Sequence, residues 1–174
     1  ADLVYIPGGY PELFARQLYR RKRLFGQLRN YIENGGKLLA ECLRHLAAQT
    51  VLPARIIVVD NASTDGSADI ADSSATLTVI RMKENIGYAA ANNRALAECA
   101  GEFVAMLNPD AFPAPQWLER LLEAAAGYPD YALFGSRLVS AENPDLLDGD
   151  GDCYHASGLV WRAGHGQRFA QESK

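Results

Sequence analysis

With 174 residues, 48% of them apolar, the chain is long enough to bury the core of one ordinary domain, which argues against disorder. A net charge of -4 gives no electrostatic case for nucleic acid, because that partner needs a surplus of clustered Lys and Arg. The three cysteines lack the spacing of a zinc site, and no apolar run approaches the roughly 18 residues of a membrane span. We therefore expect a soluble, cytoplasmic protein.

Apolar runs of strand length alternate with segments of helical spacing along the chain. The predicted strands are residues 3–6, 55–59, 76–81, 103–107 and 131–134. Near-continuous apolar strands that alternate with helices indicate a parallel sheet with helices on both faces. The sequence therefore predicts a single α/β domain over 1–174 with a Rossmann-like, doubly wound, mostly parallel sheet.

The remaining segments are helices and loops. Helical spacing predicts helices over residues 11–34, 67–71, 88–99 and 115–126. Residues 37–49 could begin as a strand or be helical throughout, and we favour a helix because apolar residues recur three and four positions apart. Asn, Pro, Gly and Asp predict a loop over 140–152, and we expect a disordered tail at 168–174.

The first motif, IIVVDNASTDGS at residues 56–67, places Asp60 and Asn61 at the carboxyl end of an apolar strand. Ligands of open α/β sheets bind at that edge, so a carboxylate there can accept hydrogen bonds from a ribose or base. The same residues also fit ordinary turn chemistry, with Asp65 or Ser67 capping the next helix.

The second motif, ENIGYAAANN at residues 84–93, joins a strand to a helix through a loop that contains Gly87. The amino end of a helix favours phosphate because its N–H groups point outward, and Gly permits close approach of the backbone. Alternatively, Asn85 and Gly87 only form the turn.

The third motif, FVAMLNPDAFP at residues 103–113, carries Asn108 and Asp110 on the loop that leaves a strand. A divalent cation bound to a diphosphate would pair with such a carboxylate, since Mg²⁺ typically takes one or two protein carboxylates together with phosphate oxygens. The alternative is that Asp110 is a turn residue.

Together, in this order, the three motifs resemble the family 2 (GT-A type) glycosyltransferases, particularly the rhamnosyltransferase-like members. The resemblance covers residues 43–167 and includes LRHLAAQTVLPARIIVVDNASTDGS and LNPDAFPAPQWLERLL. It implies that Asp60 contacts the base or ribose and that Asp110, in the place of an Asp-x-Asp-like motif, holds Mg²⁺ or Mn²⁺. It also implies a pocket for the nucleotide and diphosphate that is shaped by Asn61, Asn85, Gly87, Asn92, Asn93 and Asn108.

The opening of the chain departs from that family. ADLVYIPGGYPELFARQL and NGGKLLAEC, within residues 1–42, resemble the glutamine amidotransferase domain of cobyrinic acid a,c-diamide synthases, with Cys42 at the position of the nucleophile. A nucleophile elbow needs small residues after the nucleophile, whereas Leu43 and Arg44 follow here. We therefore infer a chimera in which Cys42 is a buried helix residue and residues 3–6 replace the missing first strand.

Three functions are consistent with these residues. The first is a glycosyltransferase-derived fragment that binds a nucleoside diphosphate or nucleotide sugar weakly with the metal and transfers sugar poorly or not at all. The second is an engineered or fused α/β protein without ligand, and the third, least favoured, is glutamine hydrolysis through Cys42. No catalytic residue is assigned, and an incomplete sheet edge predicts self-association. The first hypothesis requires Asp60 and Asp110, on neighbouring strands, to converge on one cleft.

Overall fold

The computed structural model describes residues 4–7, 35–64, 66, 69 and 74–168. The chain divides into two compact units, Ala1–Glu123 and Ala124–Lys174. All the candidate nucleotide-binding and metal residues belong to the first unit. The single domain over 1–174 stays a prediction, and each unit is described by itself.

The first unit is built on a parallel sheet of four strands in the order β3-β2-β1-β4. The connecting segments include helices, as expected for parallel strands, which need a crossover connection. In chain order the elements are β1 (Val4–Pro7), α1 (Gly35–Ala47), β2 (Ile56–Asp60), β3 (Leu77–Arg81), α2 (Tyr88–Leu96), β4 (Ala105–Met106) and α3 (Trp117–Gly127).

Strand β1 lies inside this sheet, although it comes from the part of the chain that resembles an amidotransferase. Tyr5 pairs with Ile57 of β2 on one side, and Val4 pairs with Ala105 of β4 on the other. The strand predicted at residues 3–6 therefore exists, shifted by one residue, and it occupies an inner position. Its last paired residue is Pro7, opposite Val59, where the missing N–H of proline removes one donor from the ladder.

Strand β2 separates two apolar cores, because its successive side chains point to opposite faces of the sheet. On one face Val58 packs with residues of α1, and on the other Ile57 and Val59 pack with residues of α2. Helices α1 and α2 therefore cover opposite faces of β2. The buried residues that α1 and α2 contribute are Leu39, Cys42, Leu46, Ala91 and Ala95.

Helix α1 answers the question that the sequence left open. Residues 35–47 are helical throughout, and the fully buried Cys42 and Leu46 lie four positions apart on the face that packs against β2. Burial of a leucine side chain stabilises the fold by about 1.5–3 kcal/mol. The helix brings Leu39, Cys42 and Leu46 onto one buried face, and this burial favours the helix over a strand.

Three expectations about secondary structure were wrong. Residues 131–134 form no strand, and Tyr131 and Leu133 are 66% and 90% exposed, so this apolar run packs against no core. Strand β4 has two residues where five were predicted, and the predicted loop at 140–152 contains strand β6 (Leu147–Gly149). The predicted helix at 11–34 and most of that at 67–71 lie outside the described residues.

The second unit contains two small antiparallel sheets. Strand β5 (Leu138–Val139) pairs with β6, and β7 (Asp152–Tyr154) pairs with β8 (Val160–Arg162). Arg168, the first residue of the predicted tail, forms a bridge with Leu146, whereas 169–174 are outside the described part. None of the helices in the described ranges has the length and apolarity to cross a membrane.

Candidate functional site

The carboxyl edge of the parallel sheet carries both groups that the sequence singled out for ligand binding. Asp60 is the last residue of β2, and Asn108 and Asp110 follow β4, so the parallel direction of the strands brings them to the same edge. The expectation that they lie on neighbouring strands was wrong, because β1 lies between β2 and β4. Two strand spacings amount to about 10 Å, a distance that a nucleoside diphosphate can span.

Asp60 is held by a tight turn at the end of β2. Its Oδ1 accepts a hydrogen bond from the backbone N–H of Ser63 at 2.9 Å, and its carbonyl accepts one from Met82 at 2.8 Å. Ala62, inside this turn, has φ 62°, a left-handed conformation that non-glycine residues rarely adopt. The half-buried carboxylate of Asp60 therefore has a fixed direction, with Oδ2 making no hydrogen bond in the described structure.

Asn61 and Asn85 are hydrogen-bonded to each other across two loops. The side-chain amide of Asn61 donates to Oδ1 of Asn85 at 2.8 Å, and its own Oδ1 accepts the N–H of Ile86 at 2.9 Å. Oδ1 of Asn85 also accepts the N–H of Gly87 at 3.0 Å. The structure thus brings the first and second motifs together.

Gly87 precedes α2 in a conformation that requires glycine. Its φ of 83° lies in the left-handed region, where a Cβ atom would be strained. No side chain caps α2, and the carbonyl of Gly87 accepts the N–H of Ala91 at 3.1 Å. Helix geometry consequently leaves the amides of Ala89 and Ala90 without an intrahelical acceptor.

The two remaining candidates on α2 differ in burial. Asn92 is 6% exposed and donates its side-chain amide to the carbonyl of Tyr88 at 3.0 Å, while its Oδ1 is buried without a hydrogen-bond partner. Asn93 is exposed. An unpaired buried acceptor costs about 1–3 kcal/mol, which makes Asn92 the more informative of the two.

The loop after β4 presents oxygen ligands to solvent. Asn108 and Asp110 are both exposed, and the N–H of Ala111 donates to the carbonyl of Asn108 at 3.1 Å. Across the described ranges, no group of three or more His, Cys, Asp or Glu side chains could hold a metal ion. One carboxylate with a neighbouring amide fits Mg²⁺ or Mn²⁺ bound mainly by waters and phosphate oxygens, which is how Mg²⁺ commonly binds.

Helix α1 and the residues just after it hold this loop in place. Cys42 donates its S–H to the carbonyl of Asn108 at 3.7 Å, and Nδ1 of His45 lies 3.1 Å from the carbonyl of Pro113. The His45 ring also stacks on Phe112 with 5.6 Å between centroids.

Gln49 makes the most extensive of these contacts. Its amide donates to the carbonyl of Ala114 at 2.8 Å, and its Oε1 accepts the N–H of Leu118 at 3.1 Å. Thr50 continues the contact, because its N–H donates to the carbonyl of Pro115 at 2.8 Å. Sequence reasoning missed His45 and Gln49, since their partners are backbone groups more than 60 positions away and no motif marks them.

Cys42 has none of the properties of a nucleophile. It is fully buried, and burial raises the pKa of its thiol to about 12, with the carboxylate of Asp110 as the second cause. Reactive cysteines have a lowered pKa and are accessible to solvent. The expectation that Cys42 is a buried helix residue is therefore confirmed.

The histidines of the second unit take part in local hydrogen bonds. Nδ1 of His155 lies 2.8 Å from Oγ of Ser157, and Nδ1 of His165 lies 2.8 Å from the carbonyl of Asp148. Both side chains are exposed, as expected for residues that stabilise loops.

Comparison with known proteins decides the family. The sequence model described as "Glycosyl transferase family 2" matches residues 30–154. The chain belongs to this family. A second model, described as "CobB/CobQ-like glutamine amidotransferase domain", matches residues 1–43, so the two matches overlap over residues 30–43, which include the first part of α1. The two matches support the chimera inferred from the sequence.

Individual relatives give the same division of the chain. Glycosyltransferase GlyG of Streptococcus pneumoniae is 31% identical over 96 residues, which cover 53% of this chain and 32% of that protein. Cobyrinate a,c-diamide synthase of Fusobacterium nucleatum is 46% identical over 41 residues, which cover 24% of this chain and 9% of the synthase. The chain spans about a third of the length of the first curated glycosyltransferases that it matches.

Among solved structures, the crystal structure of TarS from S. aureus is similar to this fold. The TM-score is 0.52 at 21% sequence identity, and the match covers 80% of this chain and 21% of TarS. The α/β fold predicted from the sequence is thus supported.

Proposed function

We propose that this family 2 protein binds a nucleoside diphosphate or nucleotide sugar weakly, with Mg²⁺ or Mn²⁺, and that it transfers sugar slowly or not at all. The proposal includes the doubly wound arrangement of the family's nucleotide-binding half. One observation carries it: Asp60 and the Asn108–Asp110 loop leave two parallel strands at the same edge of one sheet, with only β1 between them.

Each group has a separate task in this proposal. Asp60, aligned by the N–H of Ser63, accepts a hydrogen bond from the ribose or base through its remaining oxygen. Asp110, with Asn108 beside it, holds the cation against the diphosphate oxygens. When bound, the cation offsets negative charge on the departing nucleoside diphosphate.

Slow transfer is the second part of the proposal. A positioned general base contributes about 10²- to 10⁴-fold to such a reaction, and we place none among the described residues. Binding is therefore the property to measure first.

Calorimetric titration with UDP and with dTDP, with and without Mn²⁺, tests the proposal. We expect binding in the millimolar to micromolar range that tightens when Mn²⁺ is present. Asp110→Asn should remove the Mn²⁺ effect, whereas Asp60→Asn should weaken binding both with and without the metal. The exposed Glu102, on the amino side of β4, provides the matched control Glu102→Gln. No heat and no thermal shift at millimolar ligand would refute the proposal.

A fused α/β protein without ligand is the second candidate. The specific observation in its favour is that two unrelated family models match the chain and overlap over residues 30–43. In that case Asp110→Asn would leave every measurable property except stability unchanged, so the same titrations separate the two candidates.

Self-association and a cytoplasmic location are further parts of the proposal. Strand β4 is an outer strand of the sheet, and Phe103, Val104 and Met106 on and beside it are 39%, 37% and 50% exposed. An apolar outer strand tends to pair with another chain. Light scattering after size exclusion should show a mass above the 19.0 kDa of one chain, and this mass should rise with protein concentration.

A further inference from the structure

We propose that Asn61 is a positioning residue, which acts through Asn85 to fix the amino end of α2 against the diphosphate. This inference rests on the proposed function and deepens it. Asn61 and Asn85 were expected to shape the nucleotide pocket, and the structure shows how they could do so without touching the ligand.

The nitrogen and the oxygen of the Asn61 side-chain amide each make a hydrogen bond inside the protein. Asn61 is 4% exposed, and its Nδ2 and Oδ1 bind Oδ1 of Asn85 and the N–H of Ile86 at 2.8 and 2.9 Å. A buried amide with both functions satisfied in this way fixes the geometry around it. Asn61 therefore ties the end of β2 to the segment that precedes α2.

Asn85 connects Asn61 to the start of the helix. Its Oδ1 accepts both the amide of Asn61 and the N–H of Gly87, the residue before α2. Gly87 then enters the helix at φ 83°. The direction of the first turn of α2 thus depends on the position of the Asn85 side chain, which Asn61 sets.

Two further observations indicate that this end of α2 serves a ligand. Asn92 lies one turn into the helix, its side chain reaches back to the carbonyl of Tyr88, and its buried Oδ1 has no partner. Ala62, next to Asn61, keeps a left-handed backbone conformation. The unpaired Oδ1 of Asn92 is an acceptor, so it calls for a donor such as a hydroxyl group of the ligand, whereas the phosphate is favoured by the N–H groups at the amino end of α2.

The test compares a nucleoside diphosphate with its nucleoside. We would measure the dissociation constants of UDP with Mn²⁺ and of uridine for the wild type, Asn61→Ala, Asn85→Ala and the control Asn143→Ala. Asn143 is exposed and lies in a turn of the second unit. The two variants should lose about threefold to tenfold of the preference for UDP over uridine, because contacts at a helix amino end have about that weight. The control should keep the preference.

A second measurement tests the Asn61–Asn85 hydrogen bonds in the absence of ligand. Hydrogen exchange at the amides of Ile86 and Gly87 should accelerate about tenfold in Asn61→Ala, the factor that corresponds to loss of one hydrogen bond. Because Asn61 is buried, the exposed Asn85 supplies the variant that perturbs folding least.

The outcomes separate the two claims. If the wild type binds neither UDP nor uridine, the proposed function is wrong, and so is the positioning role of Asn61, which rests on it. If the wild type prefers UDP but the variants weaken both ligands equally, Asn61 is only structural and the positioning inference alone is wrong. Unchanged exchange at Ile86 and Gly87 would also overturn the inference.

Discussion

Replacing Gln49 with leucine should destabilise the protein and loosen the loop that carries Asp110. Gln49 is 6% exposed and bridges α1 to the start of α3. Leucine has a similar volume but no hydrogen-bonding group, so the substitution tests the hydrogen bonds rather than the packing.

The magnitude follows from the three bonds that Gln49 makes. The N–H of Leu118, which is 1% exposed, would lose its acceptor in a place that water does not reach, at a cost of about 1–3 kcal/mol. The carbonyls of His45 and Ala114 would each lose a donor, and exposure of Ala114 allows water to replace that bond in part. The sum is about 2–4 kcal/mol.

Urea denaturation measures this loss. With a typical slope of about 2 kcal/mol per molar urea, the midpoint should fall by about 1–2 M. The matched control is Gln116→Leu, at an exposed position one residue before α3, where we expect a shift below about 0.25 M. An equal midpoint for Gln49→Leu and wild type would refute the reasoning, as would a Gln49→Leu variant that keeps the full Mn²⁺ effect on UDP binding despite the predicted loss of stability.

Three more predictions concern single positions. Gly87→Ala should lower the free energy of unfolding by about 1–2 kcal/mol because of its φ of 83°, whereas Gly127→Ala, with open space around the added Cβ, should change it by less than about 1 kcal/mol. Leu46→Ala should cost about 2–5 kcal/mol in a urea titration, since Leu46 is fully buried, and Leu133→Ala, at a 90% exposed side chain, almost nothing. The raised pKa of the Cys42 thiol stabilises the fold fully below about 9 and progressively less as pH rises toward about 12, so the stability difference between wild type and Cys42→Ser should shrink over that range. A difference that is constant from pH 8 to 11 would contradict the last prediction.

The strands and helices whose bounds were predicted correctly from the sequence are those whose apolar residues are buried in a core. Strands β2 and β3 begin within one residue of their predicted starts, because a run such as Ile57–Val59 is buried on both faces. Residues 131–134 are also apolar but pack against no core, so the prediction of a strand from their apolar character was wrong. The apolar composition of a segment shows that it could be buried, but whether it is buried depends on the tertiary structure around it.

The candidate site was predictable to the extent that it is local. The positions of Asp60 and Asp110 after parallel strands follow from strand patterns, and both lie at the expected edge. The interposed β1 was harder to foresee, because strand order depends on long-range pairing. The contacts of Gln49 and the Asn61–Asn85 bond also join distant segments, and a single sequence gives no sign of them.

The inner position of β1 has a consequence for how such folds recombine. Neighbouring parallel strands pair through main-chain hydrogen bonds, which do not depend on the side chains. An inner position of the sheet can therefore be occupied by a strand from another family when its length and direction are right. The helix that follows must then pack against the existing core, and here the two family matches overlap over residues 30–43, which include the first part of α1. Exchange of a strand together with part of the following helix is thus a route by which α/β folds recombine while the carboxyl edge of the sheet keeps its place.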